Sequence, residues 1–319
     1  MMMDAYDRKI LFALDKNARE SYVQLAKKSG LSKDAVKYRI NNYLKNGLLS
    51  GFYSLIDSSK LGFYSFRIYV SFKNTTIEDE KKVIEYLILE KNVFYLFRAE
   101  GEFDIGMGYF AKSLEGFNEF ITKFKEQFSQ IQIYKQGIFI YLQHFDRNYL
   151  TNKKRLQKPK RVIQEPKDNN IDKTNLEILK LISTNARIQI IDICKKVNLT
   201  SKAVLFRLRD LESKGIILGY KPKLNLEKIH YSMYKVDLII DNKKLIKIMK
   251  NYIFQLPNII HSQEVFGGSD LEFDVECKDY TEFIQIMNKI KENFGNEIKK
   301  SFHFRTTKIY KTNFLPEVH

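Results

Sequence analysis

Tryptophan is absent from the 319-residue chain, and cysteine (2), proline (5) and histidine (5) are scarce. Two cysteines, Cys194 and Cys277, give neither a disulfide framework nor the spacing of a zinc site. The scattered histidines point to no metal site, and no cofactor is expected. No apolar run approaches the roughly eighteen residues that a membrane-spanning helix needs, and Asp4 and Asp7 break up the N-terminus before a signal-peptide core can form. A reducing, cytoplasmic setting is the simplest expectation. Acidic residues are also short: 38 Asp and Glu stand against 54 Lys and Arg, a net charge of +16. Such a balance attracts polyanions through long-range fields and counterion release; lysine-rich composition alone gives the same sum.

What is present is a repeat. "LSKDAVKYRINNYLKNGLL" begins at Leu31 and "LTSKAVLFRLRDLESKGII" at Leu199, an offset of 168 residues. The register holds without a gap from Asp4/Asp172 to about Phe63/Tyr231, which marks a duplicated unit. Between the copies lies "RNYLTNKKRLQKPKRVIQEPKDNN". Its two prolines, many bases and lack of apolar periodicity read as an exposed linker. Lys153, Lys154, Arg155, Lys158, Lys160 and Arg161 would be either phosphate contacts or plain solvated charge.

Each unit opens with three helices. Ile10, Leu11 and Leu14 recur at helical spacing over Asp4 to about Lys16, with Asn17 expected as a left-handed stop. Ser21 caps a second helix, and Gly30 makes the turn that Asn198 makes in the second copy. Ser32 and Thr200 then cap a third helix, which Gly47 and Gly215 end. Val36, Ile40 and Tyr43, like Val204, Leu208 and Leu211, form its inner stripe. "LLSGFYSLID" and "IILGYKPKLN" follow as strand wings. This is a winged helix-turn-helix pattern, whose third helix enters the DNA major groove. The residues expected there are Ser32, Lys33, Lys37, Tyr38, Arg39, Asn41 and Asn42, and in the second copy Thr200, Ser201, Lys202, Arg207 and Arg209, reading base edges or phosphates. The first copy should bind DNA more strongly, because the second carries Asp210, Glu212 and apolar Leu205 on its third helix.

The rest of each unit reads β-α-β-β-α-β, a ferredoxin-like order. In the first copy Phe66, Ile68 and Val70 face one side of a strand and Tyr69 the other, so both sheet faces need cover. A second sheet packed face to face is the expected partner. The second copy is more polar, with Glu272, Asp274 and Glu276 alternating with Leu271, Phe273 and Val275. The fold class is therefore α+β, with two winged helix-turn-helix domains (1–60 and 171–228) alternating with two ferredoxin-like sandwiches (61–147 and 229–319). A basic linker occupies 148–170.

The succession "NAR", "LAKKSGLS", "AV..R", "GLLSGF"/"GIILGY" and "GEFD"/"GGSD" resembles the Lrp/AsnC family of bacterial and archaeal transcription regulators, over nearly the whole chain twice. The resemblance implies double-stranded DNA as partner, with small molecules such as amino acids as effectors. It places the effector region at Gly101, Asp104, Gly267 and Asp270, where glycine either admits a ligand or only shapes the hairpin. It also implies pairing through the sandwich domains and further assembly. Two units in one chain imply a dimer-like regulator within one polypeptide, free to diverge toward an asymmetric operator; about twenty-five linker residues reach up to about 80 Å.

Two other readings stand beside it. Some proteins of this architecture, fused ones included, are siroheme decarboxylases, which need bases for a polyanionic tetrapyrrole and a proton donor. His261, His303 and Arg305 are the candidates here. Alternatively the second helix-turn-helix docks on the basal transcription machinery through Leu205 and Phe206, unless these two are core.

Overall fold

The computed structural model describes residues 3–155, 158–163, 165–167 and 170–318. The first unit runs α1 (Ala5–Lys16), α2 (Tyr22–Ser29), α3 (Lys33–Lys45), β1 (Leu49–Ile56), β2 (Tyr64–Phe72), α4 (Ile77–Leu89), β3 (Val93–Glu100), β4 (Ile105–Ala111), α5 (Leu114–Gln127) and β5 (Ile131–His144). A short β6 (Lys160–Ile163) follows. The second unit repeats the order as α6 (Lys173–Thr184), α7 (Ile190–Val197), α8 (Ser201–Ser213), β7 (Ile217–Leu224), β8 (Ser232–Ile240), α9 (Ile246–Ile253), β9 (Ile259–Phe266), β10 (Leu271–Cys277), α10 (Tyr280–Phe294) and β11 (Ile298–Thr312).

Local chemistry sets the helix ends. Asp4 and Ser21 close reciprocal capping boxes on α1 and α2. Gly30 and Asn198 occupy the left-handed region at φ 77° and 52°, making the same turn in both copies. Asn17 differs from expectation: it is extended at φ −155°, and its side chain accepts from the Arg19 amide instead.

The two wing strands pair with each other. β1 and β7 form an antiparallel ribbon centred on Tyr53 opposite Lys221, with Phe52 opposite Pro222 and Ser54 opposite Tyr220. Tyr53 and Lys221 are equivalent under the 168-residue offset, so the contacts around them are reciprocal. The Ala18 amide donates to the Tyr220 carbonyl (3.0 Å) and the Ala186 amide to the Phe52 carbonyl (3.1 Å). Arg19 reaches the Ala186 carbonyl (2.7 Å) and Arg187 the Ala18 carbonyl (2.5 Å). Each strand also packs on the other unit's first helix, α6 on β1 and α1 on β7. One apolar core consequently runs through both helix-turn-helix units, joining Ile10 and Leu14 to Ile178 and Ile182. Reciprocal contacts of this kind are the geometry of an isologous interface.

The sandwich sheets follow the same principle. Their strand orders are β5-β2-β4-β3 and β11-β8-β10-β9. The long last strand of each continues past its own sheet and pairs with the other unit: β5 with β9, and β11 with β3. Eight antiparallel strands thereby close into a barrel, which removes the open edges. The expected face-to-face packing is corrected here: the sheets join edge to edge, because strands of 14 and 15 residues outrun their own partners. Phe66, Ile68 and Val70 face α4 and α5 in one outer core, and Val236, Leu238 and Phe273 face α9 and α10 in another. Arg67, Tyr69 and Lys235 are left to the barrel interior.

The linker is not a free tether over its described length. β6 extends the sheet beside β5, and Val162 is fully buried. The Arg155 guanidinium donates to the carbonyls of Ile259 (2.7 Å) and Asp146 (3.1 Å) and lies over the Phe145 ring. Lys160 reaches the Lys16 carbonyl and Arg161 covers Tyr141. Lys153, Lys154 and Lys158 stay exposed.

Candidate functional site

Ser32 and Thr200 accept from the amides of Ala35 (3.2 Å) and Ala203 (3.3 Å), starting α3 and α8. Val36, Ile40 and Tyr43, and likewise Val204, Leu208 and Leu211, turn inward. The opposite face of α3 exposes Lys33, Lys37, Tyr38 and Asn41, with Asn42 half-buried beside them. That of α8 exposes Ser201, Lys202, Leu205, Phe206 and Arg209. Phe206 is 71% exposed and stands where Tyr38 stands in the first unit, so neither it nor Leu205 belongs to the core.

Two of the expected contacts are engaged elsewhere. Arg39 pairs with Asp4 (2.9 Å) and Asp7 (2.5 Å), and Asp7 also accepts from the Tyr43 hydroxyl. Arg207 repeats the device with Asp172 (2.6 Å) and Asn175 (3.0 Å). Both arginines fasten the third helix to the start of the first. The acids counted against α8 are also engaged: Asp210 pairs with Lys214, and Glu212 accepts from the Tyr220 hydroxyl.

The residues expected at the effector region cap strand ends. Asp104 accepts from the Phe72 amide (2.7 Å) and Asp270 from the Ile240 amide (2.9 Å), with Lys243 on its other oxygen. Gly101, at φ 153°, has Phe304 only 3.1 Å from where a Cβ would lie. Gly267 has open space around it and is held by its φ of 80°. None of the four lines the cavity inside the barrel.

That cavity, about 970 Å³, runs through the barrel interior to the β1–β7 ribbon. Its wall from the first unit is aromatic, with Tyr69, Phe94, Tyr95 and Phe97. Gly106 and Gly108 make room, since a Cβ would lie 2.1 Å from Phe97 and 2.2 Å from Phe94. Both units contribute ionisable groups around it. Arg67 pairs with Glu272, which also holds Lys235 (2.8 Å). Arg147 bridges Asp15 (2.7 Å) and Glu276 (2.8 Å), and Lys221 bridges Asp15 and Asp146 at 3.0 Å each. Burial pushes Asp15 upward, yet Lys221 and Arg147 hold it down to about 2. Glu272 is likewise held down to about 2 by Lys235 and Arg67 against its burial.

Of the residues considered for an enzyme, His261 and Arg305 line the cavity and His303 does not; His303 packs on Phe283 and Tyr280. Arg305 pairs with Glu100 (3.0 Å). Residue-by-residue reading missed His144. It lies opposite His261 in the β5–β9 register, with its Nδ1 3.1 Å from His261 Nε2, while His261 Nδ1 lies 2.8 Å from Asp274. Burial, and then the neighbouring His261, pushes His144 well below the usual histidine range. A pairing across 117 residues leaves no local signal in the sequence.

A family model described as winged helix-turn-helix DNA-binding matches residues 3–50 and 171–217. An uncharacterised HTH-type transcriptional regulator of Pyrococcus furiosus is 26% identical over 47% of this chain and 97% of its own length. The regulatory protein AsnC of Haemophilus influenzae is 30% identical, over 32% of this chain and 68% of its own. The chain belongs to the Lrp/AsnC family. Each of these relatives matches about one unit of it, whereas both units together share a fold with the siroheme decarboxylase NirDL (TM-score 0.60, 13% identity, 97% of this chain and 93% of that one). Among the described residues of this Lrp/AsnC chain, no group of three or more potential ligands is placed to hold a metal ion, and no helix is long and apolar enough to cross a membrane.

Proposed function

We propose that the chain is a sequence-specific DNA-binding transcription regulator whose two units act as a dimer within one polypeptide on an operator with unequal halves. The observation that carries this reading is the pair of exposed, differently composed faces on α3 and α8, tied together by the reciprocal β1–β7 ribbon. Lys33, Lys37, Lys202 and Arg209 supply phosphate contacts, which set affinity and its salt dependence. Asn41 is suited to adenine, and apolar Leu205 and Phe206 to thymine methyl groups. Arg39 and Arg207 position these helices rather than read DNA. A small-molecule effector fits the family resemblance.

The shared fold does not carry the decarboxylase reading over. Fold likeness at 13% identity does not fix an activity, and the bases Arg67, Arg147, Lys221 and Lys235 each already hold a carboxylate. The exposure of Leu205 and Phe206 favours a second reading, in which α8 docks on a protein of the transcription machinery. Mobility shifts of genomic fragments at two salt concentrations test the first. Specific complexes that Lys37→Ala and Arg209→Ala both weaken support it. Complexes indifferent to Arg209→Ala and Phe206→Ala leave α8 to a protein partner, and no specific complex at all contradicts DNA recognition.

A further inference from the structure

The barrel cavity is built more thoroughly than sheet closure requires. Its volume of about 970 Å³ sits at the top of the range of about 300–1,000 Å³ that small-molecule sites occupy. Aromatic side chains of the first unit line one side, and the two glycines keep them from being displaced. On the other side lies the row Asp274, His261, His144. The Asp274 carboxylate accepts from His261 Nδ1–H, which leaves His261 Nε2 as an acceptor. With both imidazoles neutral, His144 then donates through Nδ1, and its Nε2 keeps a bare lone pair. That Nε2 and Asp274 Oδ1 are both buried without a hydrogen-bond partner among the described residues. His144 is only 6% exposed and lines the cavity. Buried acceptors left unmatched are costly, so both would be relieved by a donor. The charge pattern narrows the donor further: Glu276 is answered by the Arg147 guanidinium, whereas Asp274 is answered by an imidazole alone.

We propose that this cavity binds a small molecule with an aromatic body and a primary amine, the amine donating to Asp274 and His144 and the body lying against Tyr95, Phe97 and Phe94. Carboxylate ligands are disfavoured at the row, because it presents acceptors. Ser50 and Tyr53 of β1 and Lys221 and Lys223 of β7 share the wall, so an occupant touches the ribbon that joins the two helix-turn-helix units. The site is independent of the DNA-binding reading and is tested without DNA.

Isothermal titration calorimetry of the full chain with tryptamine, and with indole-3-propionate as its carboxylate counterpart, decides the matter. Tryptamine is expected to bind at least tenfold more tightly than indole-3-propionate. Asp274→Asn, which preserves shape, and His144→Ala are each expected to weaken tryptamine at least tenfold; His303→Ala, outside the cavity, leaves it unchanged. Thermal unfolding of each variant is recorded first, and Asp274→Asn serves alone if His144→Ala fails to fold. The proposal is overturned if neither probe binds, if the carboxylate binds as tightly as the amine, or if tryptamine is indifferent to the Asp274 and His144 substitutions.

Discussion

The two halves of the barrel interior share a backbone and differ in what fills it. In the first unit, β4 carries Gly106 and Gly108 beneath Phe97 and Phe94. In the second, β10 carries Glu272 and Asp274 opposite Gln263 and His261. One half is therefore closed by aromatic packing and the other by ion pairs, some of which cross between units, as Arg67 to Glu272 does. Two identical chains would have to place the same groups on both sides of the two-fold. One chain carrying both copies need not, and several of the buried charges here are matched across the units, as Arg67 with Glu272, Arg147 with Glu276 and Lys221 with Asp15 are. The same divergence appears on the recognition helices, where Lys37 and Tyr38 face Leu205 and Phe206 across the repeat.

The largest effect is expected where that crossing pair is broken. Glu272→Ala leaves Arg67 and Lys235 buried and facing each other, and should lower stability by about 3–5 kcal/mol, read as the shift in urea midpoint. Gly106→Ala attacks the aromatic half and should cost about 1–3 kcal/mol through overpacking against Phe97; no loss would mean that the ring has room to turn aside. Acid separates the halves by another route. Asp15 lies at about 2 against an ordinary 3.8, so its contribution is complete above about pH 4 and is lost as pH falls toward 2. The size is about 2 kcal/mol, and Asp15→Asn should flatten the acid limb of stability against pH. The smallest effect concerns the helices. Leu205→Lys, which gives α8 the residue of α3, should tighten DNA binding several-fold at low salt and steepen the salt dependence by about one charge, as followed by fluorescence anisotropy.

Much of this was legible in the sequence. The 168-residue repeat, the caps at Ser32 and Thr200, the inner stripe of Val36, Ile40 and Tyr43, and the β-α-β-β-α-β order are local patterns, and local patterns survive without knowledge of tertiary contacts. What was not legible lies in pairings between the copies. Alternation identifies β1 and β7 as strands but says nothing about their partners, so their mutual ribbon was read as two separate wings. The strand order was visible; that the ends of β5 and β11 leave one sheet for another was not. Arg39 looked like a phosphate contact because it is a base on the third helix, while its partners Asp4 and Asp7 lie some thirty residues earlier. Composition misled at the linker, where basic, proline-containing chain nonetheless buries Val162 and lays Arg155 over Phe145. His144 and His261 meet only through strand register, which no spacing rule reveals.

The central claim is that one chain presents two unequal reading heads to DNA. It is tested most directly by selecting bound duplexes from a randomised library with the full chain and sequencing them, alongside Lys37→Ala and Arg209→Ala. The account predicts a bipartite, non-palindromic motif in which each substitution relaxes a different half. A palindromic motif, one that a single substitution abolishes in both halves, or salt-sensitive binding with no enriched sequence would contradict it.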